Sequence, residues 1–148
     1  MKIKIFALTH KKFEVPQDKM YQPLQVGREE KEDLGYLCDN TGDNISAENC
    51  YYSELTGLYW IWKNVHTYKY VGTCHYRRYL LNEQEKIFTE AEYLKLLKDY
   101  DLITTKRVVL NNSYHYGFAT NHNIHALDMT GEVIKELYPE YYDTFVQL

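Results

Sequence analysis

Cysteine is scarce: Cys38, Cys50 and Cys74 are the whole set, and no two of them stand in a CxxC spacing. That argues against a disulfide framework and against a zinc finger, and it fits a reducing cytoplasm. A basic excess is also missing. The formal net charge is -4, with 17 Lys and Arg against 21 Asp and Glu, so no nucleic-acid partner is expected. Long apolar runs are missing as well. The N-terminal MKIKIFALTHKK returns to charge too soon for a secretion signal or a membrane span, so any membrane association is expected to be peripheral, at the inner face.

What is present is a globular composition. A chain of 148 residues that is 45% hydrophobic and 26% charged is long enough for one domain with a core and too short for two ordinary ones, which predicts a single domain over 1–148. Tyrosine is heavily used, at 16 residues, and much of it falls near expected strand and helix ends. Tyrosine there often lines polar pockets, although a packed ring with a satisfied hydroxyl is the commoner role for any single one.

The stretch YYSELTGLYWIWKNVHTYKYVGTCHYRRYLL, residues 51–81, reads as a helix followed by a strand. Leu55, Leu58, Tyr59, Trp62 and Val65 recur at helical spacing and predict one wide aromatic face, with Asn49 as N-cap and an end near Asn64. Tyr68–Cys74 then reads as a buried strand. It empties into His75, Arg77 and Arg78. Ile3–Thr9 is a second buried strand, and it empties into His10, Lys11 and Lys12. Open α/β sheets collect ligands at the C-terminal ends of their strands, so the two basic ends can converge on one anion if the strands are neighbours. Solvated loop lysines explain Lys11 and Lys12 equally well.

Between Glu14 and Asn49 the pattern breaks at Pro16, Pro23, Gly27, Gly35 and Gly42, which predicts a long excursion without a core element. Within it, Asp39 to Asn44 is a turn rich in carboxylates and amides, explained either by Asx-turn chemistry or by a ligand loop. Thr89 to Glu92 is a capping box ahead of Tyr93, Leu94, Leu96 and Leu97. Short strands are expected at Asp101–Thr105 and Val108–Leu110. Asn111–His125 reads as a loop or lid, because it has no core period. His122 and His125 are three apart, but no acidic ligand stands at a fixed short spacing, so no metal is assigned. The chain closes on a helix over Thr130–Leu137 and a helix start at Pro139. This ending looks unfinished, as in a chain truncated at its C-terminus. The element order predicts an α/β fold with a mainly parallel sheet and flanking helices.

The blocks IFALTHKKFEVP, QVGREEKEDLGYLCDNTGDNIS, ELTGLYWIWKN, YVGTCHYRRYL and YHYGFATNHNIHALD together resemble a bacterial family of glycosyltransferases encoded with capsular and exopolysaccharide synthesis genes, formerly described only as a domain of unknown function. The resemblance covers essentially the whole chain and corresponds to the N-terminal portion of longer members. It implies a Rossmann-like arrangement of the GT-A type and a nucleotide-sugar donor, with a UDP-sugar expected first. Many GT-A enzymes carry an Asp-x-Asp motif that holds a divalent ion on the sugar diphosphate. Here, by order of elements, His75-Tyr76-Arg77-Arg78 stands in that place. Two arginines and a histidine can neutralise a diphosphate directly, so neither Mn²⁺ nor Mg²⁺ is required in this reading, although a divalent cation can accompany the nucleotide-sugar.

The resulting expectation is a transferase moving a sugar from a nucleotide diphosphate to a growing glycan or lipid-linked acceptor. Arg77 and Arg78 are expected to stabilise the departing diphosphate. His10, His75 and Tyr76 are expected to line the donor pocket, and Asp39, Asp43 and Asn44 to bind sugar or ribose hydroxyls. Tyr114 is expected to contact substrate, and Asp43 or His115 to be the general base. Three other readings compete. The cluster at His75, Arg77 and Arg78 can be an ion-pair network with the Asp39 loop; the chain can be a non-catalytic nucleotide- or carbohydrate-binding module; or His115, His122 and His125 can serve a metallohydrolase. An apolar face left bare by truncation would favour a homodimer.

Overall fold

The computed structural model describes residues 2–107, 109 and 113–147, and contacts divide the chain into two compact units, Met1–Thr104 and Thr105–Leu148. The first unit is built on a four-stranded parallel sheet. Its strands are β1 (Ile3–Thr9), β2 (Tyr21–Gln25), β3 (Leu37–Cys38) and β4 (Tyr70–His75), in the order β3-β2-β1-β4. The expected α/β parallel fold with flanking helices is therefore present.

β1 lies at the centre because both of its faces are apolar, as a strand covered on two sides requires. Phe6 and Leu8 point one way and join Leu24, Val26, Trp60 and Ile61. Ile3 and Ile5 point the other way and join Met20, Tyr21 and Tyr93. The first cluster is covered by helix α2 (Leu55–Asn64), which follows the single turn α1 (Asn49–Tyr52). The second is covered by α3 (Glu90–Leu96), whose capping box at Thr89 and Glu92 forms as expected. The Glu90 carboxylate accepts the backbone N–H groups of Lys2 and Ile3 at 2.7 and 3.2 Å, which fixes the start of β1.

β2 is a strand that the sequence concealed. Pro23 breaks the pattern, yet it is tolerated for a geometric reason. Successive N–H groups of a strand alternate sides, and Val26 donates to Thr9 O at 2.9 Å, so residue 23 faces away from β1. On that side β3 pairs only with Leu24 and Gln25, and no ladder donor is needed at Pro23.

The buried face of α2 also differs from expectation. Thr56, Gly57, Trp60 and Ile61 are buried, whereas Leu55, Leu58 and Trp62 are exposed, Trp62 at 67%. The helix carries apolar residues on two faces, and Gly57 decides which one meets the sheet. A Cβ there would stand 2.6 Å from Val26 Cγ1 and 3.0 Å from Leu8 Cδ2, so the bare backbone allows the close approach. Asn49 is not an N-cap; its amide reaches forward to Ser53 O and Thr56 Oγ1 at 2.6 and 3.1 Å.

Asp101–Thr105 forms no strand, and Ile103 packs instead against the Tyr21 and Tyr93 cluster. The expected strand at Val108–Leu110 lies outside the described residues except for Val109. In the second unit the expected loop or lid is helical where it is described. α4 (Tyr114–Asn121) begins at Ser113, whose hydroxyl accepts from Tyr116 N at 3.3 Å, and α5 (Ile124–Leu137) begins at Asn123. α4 has no apolar stripe to announce it, and its local caps fix its start. A 3-10 turn at Pro139–Tyr141 leads into α6 (Tyr142–Val146).

Filling the space at Gly57 tests the packing. Gly57→Leu is expected to lower stability by about 2 to 3 kcal/mol through overpacking, read as a fall in the urea midpoint. An unchanged midpoint would mean that α2 does not rest on β1 and β2 as described.

Candidate functional site

The strand order turns back on itself between β1 and β4. From β1 the chain moves outward to β2 and β3, then returns to the other side of β1 as β4. Such a reversal opens a crevice at the C-terminal ends of the two strands, where sheets of this kind bind ligands. Register puts Leu8 opposite His75, so His10 and Lys11 leave β1 beside Tyr76, Arg77 and Arg78 leaving β4. The expected convergence of the two basic ends is therefore realised.

Tyr76 is the hub of this crevice and is only 5% exposed. Its N–H donates to Leu8 O at 3.1 Å, which locks it to the end of β1. His10 meets its ring edge-on at 5.5 Å, Phe13 lies at 5.7 Å and His75 at 4.3 Å. Lys11 Nζ stands 5.5 Å from the ring centroid and Arg77 Cζ 5.0 Å. A tyrosine face attracts cations through its quadrupole, so the ring gathers two positive side chains without neutralising either. Arg77 and Arg78 are exposed, and among the described residues neither they nor Lys11 forms an ion pair. The alternative of an ion-pair network with the Asp39 loop is not what forms.

The turn itself is held by His75. Arg78 N–H donates to His75 O at 2.9 Å, and Arg77 N–H donates to His75 Nδ1 at 3.2 Å. With Nδ1 accepting, the proton of the neutral ring sits on Nε2, which faces Glu54 Oε1 at 3.3 Å. Burial lowers the His75 pKa, and the positive charges of Arg77, Arg78 and His10 lower it further against the opposing pull of Glu54. Glu54 is the carboxylate that sequence reasoning passed over. It falls off the expected apolar stripe of the helix, and only the reversal of the strand order brings the start of α2 to the end of β4.

The acidic loop is placed differently from expectation. Asp39 is 0% exposed, and its carboxylate accepts from Gly27 N (2.8 Å), Arg28 N (3.1 Å), Ser46 Oγ (2.6 Å) and Thr56 Oγ1 (2.7 Å). It presents no surface to a sugar, and it organises the loop instead. Asn44 is taken up by its own Asx turn, accepting from Ser46 N at 3.1 Å and donating to Gly42 O at 3.0 Å. Asp43 accepts from Tyr59 Oη at 3.0 Å and lies 3.9 Å from Lys63 Nζ, against the later turns of α2. Since Glu54 at the helix start marks the crevice, Asp43 sits about two turns away, roughly 10 Å along the axis at 1.5 Å per residue. Tyr114 and His115 belong to the second unit, in the first turn of α4, where they line a cavity of ≈ 350 Å³ with α5 and α6. His122 ends α4 and His125 begins α5. No group of three or more His, Cys, Asp or Glu that could hold a metal ion occurs among the described residues.

Against known proteins, the family described as a domain of unknown function, DUF4422, matches residues 4–148. Among solved structures, the apo structure of the bifunctional glycosyltransferase WbbM is similar at 28% identity and a TM-score of 0.77. The match covers 95% of this chain and 30% of that one, so the chain spans under a third of the length of its structural relative. No curated protein matches the chain significantly.

Two predictions follow from the buried carboxylate and the histidine. Asp39→Ala strands four donors, each charge-assisted bond being worth about 1.5 to 3 kcal/mol, so a loss of about 4 kcal/mol or more is expected in thermal or urea unfolding. A loss below about 1 kcal/mol would mean that the donors find water. His75 is held neutral, so the folded state binds fewer protons than the unfolded chain just below pH 6.5, its ordinary value. Stability is then complete above that pH and falls as pH drops below it. His75→Gln is expected to flatten this part of the profile; an identical slope in the variant would show that His75 is not its source.

Proposed function

From the likeness to the glycosyltransferase WbbM, shared by a chain that belongs to the DUF4422 family, and from cations at the strand reversal that form no ion pair among the described residues, we propose a glycosyltransferase that moves a sugar from a nucleoside diphosphate, UDP first, to a growing capsular or exopolysaccharide glycan. The observation that carries this reading is the pair Lys11 and Arg77 against buried Tyr76, with the exposed Arg78 next in the chain, three cations that form no ion pair among the described residues in a chain of net charge -4. Guanidinium forks match the paired oxygens of a diphosphate, and the ammonium of Lys11 adds a point charge. As the bond from the anomeric carbon to the diphosphate breaks, negative charge grows on the leaving oxygen, and fixed cations there stabilise the transition state more than the bound donor.

Glu54 takes the role of general base in this reading, in place of Asp43. Its Oε1 is held by His75, the carboxylate is half exposed, and Oε2, which has no hydrogen-bond partner among the described residues, accepts the proton of an acceptor hydroxyl as that oxygen attacks the sugar. His10 and His75 border the donor. A divalent ion does not fit this end of the sheet: its side chains are lysine, arginine and histidine with one carboxylate, whereas Mg²⁺ and Mn²⁺ seek several oxygen ligands. No step is therefore routed through a metal. The reading puts the protein in the cytoplasm, at the inner membrane face when the acceptor is lipid-linked. Among the described residues no helix is long and apolar enough to cross a membrane.

A binding module without turnover is the second reading, favoured by a match that spans only 30% of a longer bifunctional enzyme. Donor hydrolysis with a panel of UDP-hexoses separates the two. The transferase reading expects turnover that Glu54→Gln lowers by about 10²- to 10⁴-fold while UDP affinity stays within about twofold. Full activity in the variant would remove Glu54 from the mechanism. Tight UDP binding by the intact chain with no turnover of any donor would favour the binding module.

A further inference from the structure

The donor reading leaves the cavity of the second unit unused. At ≈ 350 Å³ it is in the size range of small-molecule sites, and it lies between the start of α4, the middle of α5 and α6. Its shape follows from Gly131. A Cβ there would stand 2.9 Å from Phe145 Cε1, so the ring of Phe145 closes directly on the bare backbone of α5 and forms a flat apolar floor. Tyr114 and Tyr142 add aromatic walls. Asp128 and Glu132 are four residues apart on α5, which puts both carboxylates on one helical face, and His115 of α4 lines the same space.

Aromatic rings beside carboxylates suit two ligand classes, an organic cation or an uncharged polyhydroxyl compound. The neighbouring side chains favour the second. Lys135 Nζ lies 5.4 Å from the centroid of Tyr142, so this ring already has a cation of the protein beside it. His125 Nδ1 lies 3.7 Å from Asp128 Oδ2 and shares that carboxylate. What remains for a ligand is a set of hydrogen-bond acceptors and apolar aromatic surfaces. Sugars present hydroxyl donors on their rim and C–H groups on their faces, which matches both.

We propose that this cavity binds one neutral sugar unit, stacked on the aromatic walls with hydroxyls donating to Asp128 and Glu132. Its identity as a unit of the acceptor glycan rests on the transferase reading; the sugar class rests on the cavity alone.

Saturation-transfer NMR on the full chain tests this, with methyl glycosides of neutral hexoses and N-acetylhexosamines as probes and tetramethylammonium as the cationic comparison. Transfer to at least one glycoside is expected, at least about tenfold weaker in the Asp128→Asn, Glu132→Gln double variant, since both acceptors lose the charge that strengthens their hydrogen bonds. Tyr142→Ala, which leaves both carboxylates, is expected to weaken it too. Transfer to tetramethylammonium with none to any sugar overturns the proposal, as does a sugar signal undiminished in both variants, or no sugar signal at all. UDP titration of the same samples keeps the two readings apart. Sugar binding as expected with no UDP binding removes the donor reading and keeps the cavity; UDP binding without sugar binding does the reverse.

Discussion

The carboxylate of Asp39 ties together three stretches that are distant in sequence: the end of β2 through Gly27 and Arg28, the acidic loop through Ser46, and the start of α2 through Thr56. A buried charge without an ionic partner is tolerable only when its oxygens are fully hydrogen-bonded, and two amides with two hydroxyls meet that need. The placement of α2 depends on it, and so does the position of Glu54 two residues before Thr56. It also sets where ligands can go. Backbone N–H groups opening a helical turn after a strand are natural seats for an anion. Here Gly27 and Arg28 give theirs to the protein's own carboxylate, so the end of β2 is filled from within. The cationic groups left without a carboxylate stand at the other side of the reversal, after β1 and β4.

That division explains why Tyr76 matters. Cations packed close together repel, and Lys11 and Arg77 approach because one aromatic ring attracts both. His75 adds no charge of its own while it stays neutral, and its Nδ1 holds the backbone of Arg77. The same ring joins the positive cluster to a carboxylate, because Nε2 faces Glu54. In the proposed transferase, leaving-group stabilisation and proton acceptance would thus share one histidine, His75.

Much of this was legible in the sequence, and the exceptions have physical causes. β1 was read with its full bounds, and β4 within two residues, because buried parallel strands are continuous apolar or β-branched runs. The basic residues at their ends were visible as the residues that follow. β2 was hidden by Pro23, which marks a strand break unless the neighbouring strand starts later, as β3 does. The buried face of α2 was misread because the larger apolar residues were taken to point inward, whereas close packing favoured the face with Gly57 and Thr56. Asp39 was expected at a ligand and Glu54 was passed over for one reason: a carboxylate's place depends on its burial and partners, and neither is encoded in local spacing. α4 escaped because a short helix with no apolar stripe differs from a loop only by its caps.

The central claim, a diphosphate site made of cations alone at the reversal between β1 and β4, is tested most directly by calorimetric titration of the chain with UDP, with and without Mn²⁺, beside the Arg77→Ala, Arg78→Ala double variant. Saturable binding that is indifferent to Mn²⁺ and lost in the variant is the predicted result. Binding that requires Mn²⁺, or that survives the loss of both arginines, would contradict it.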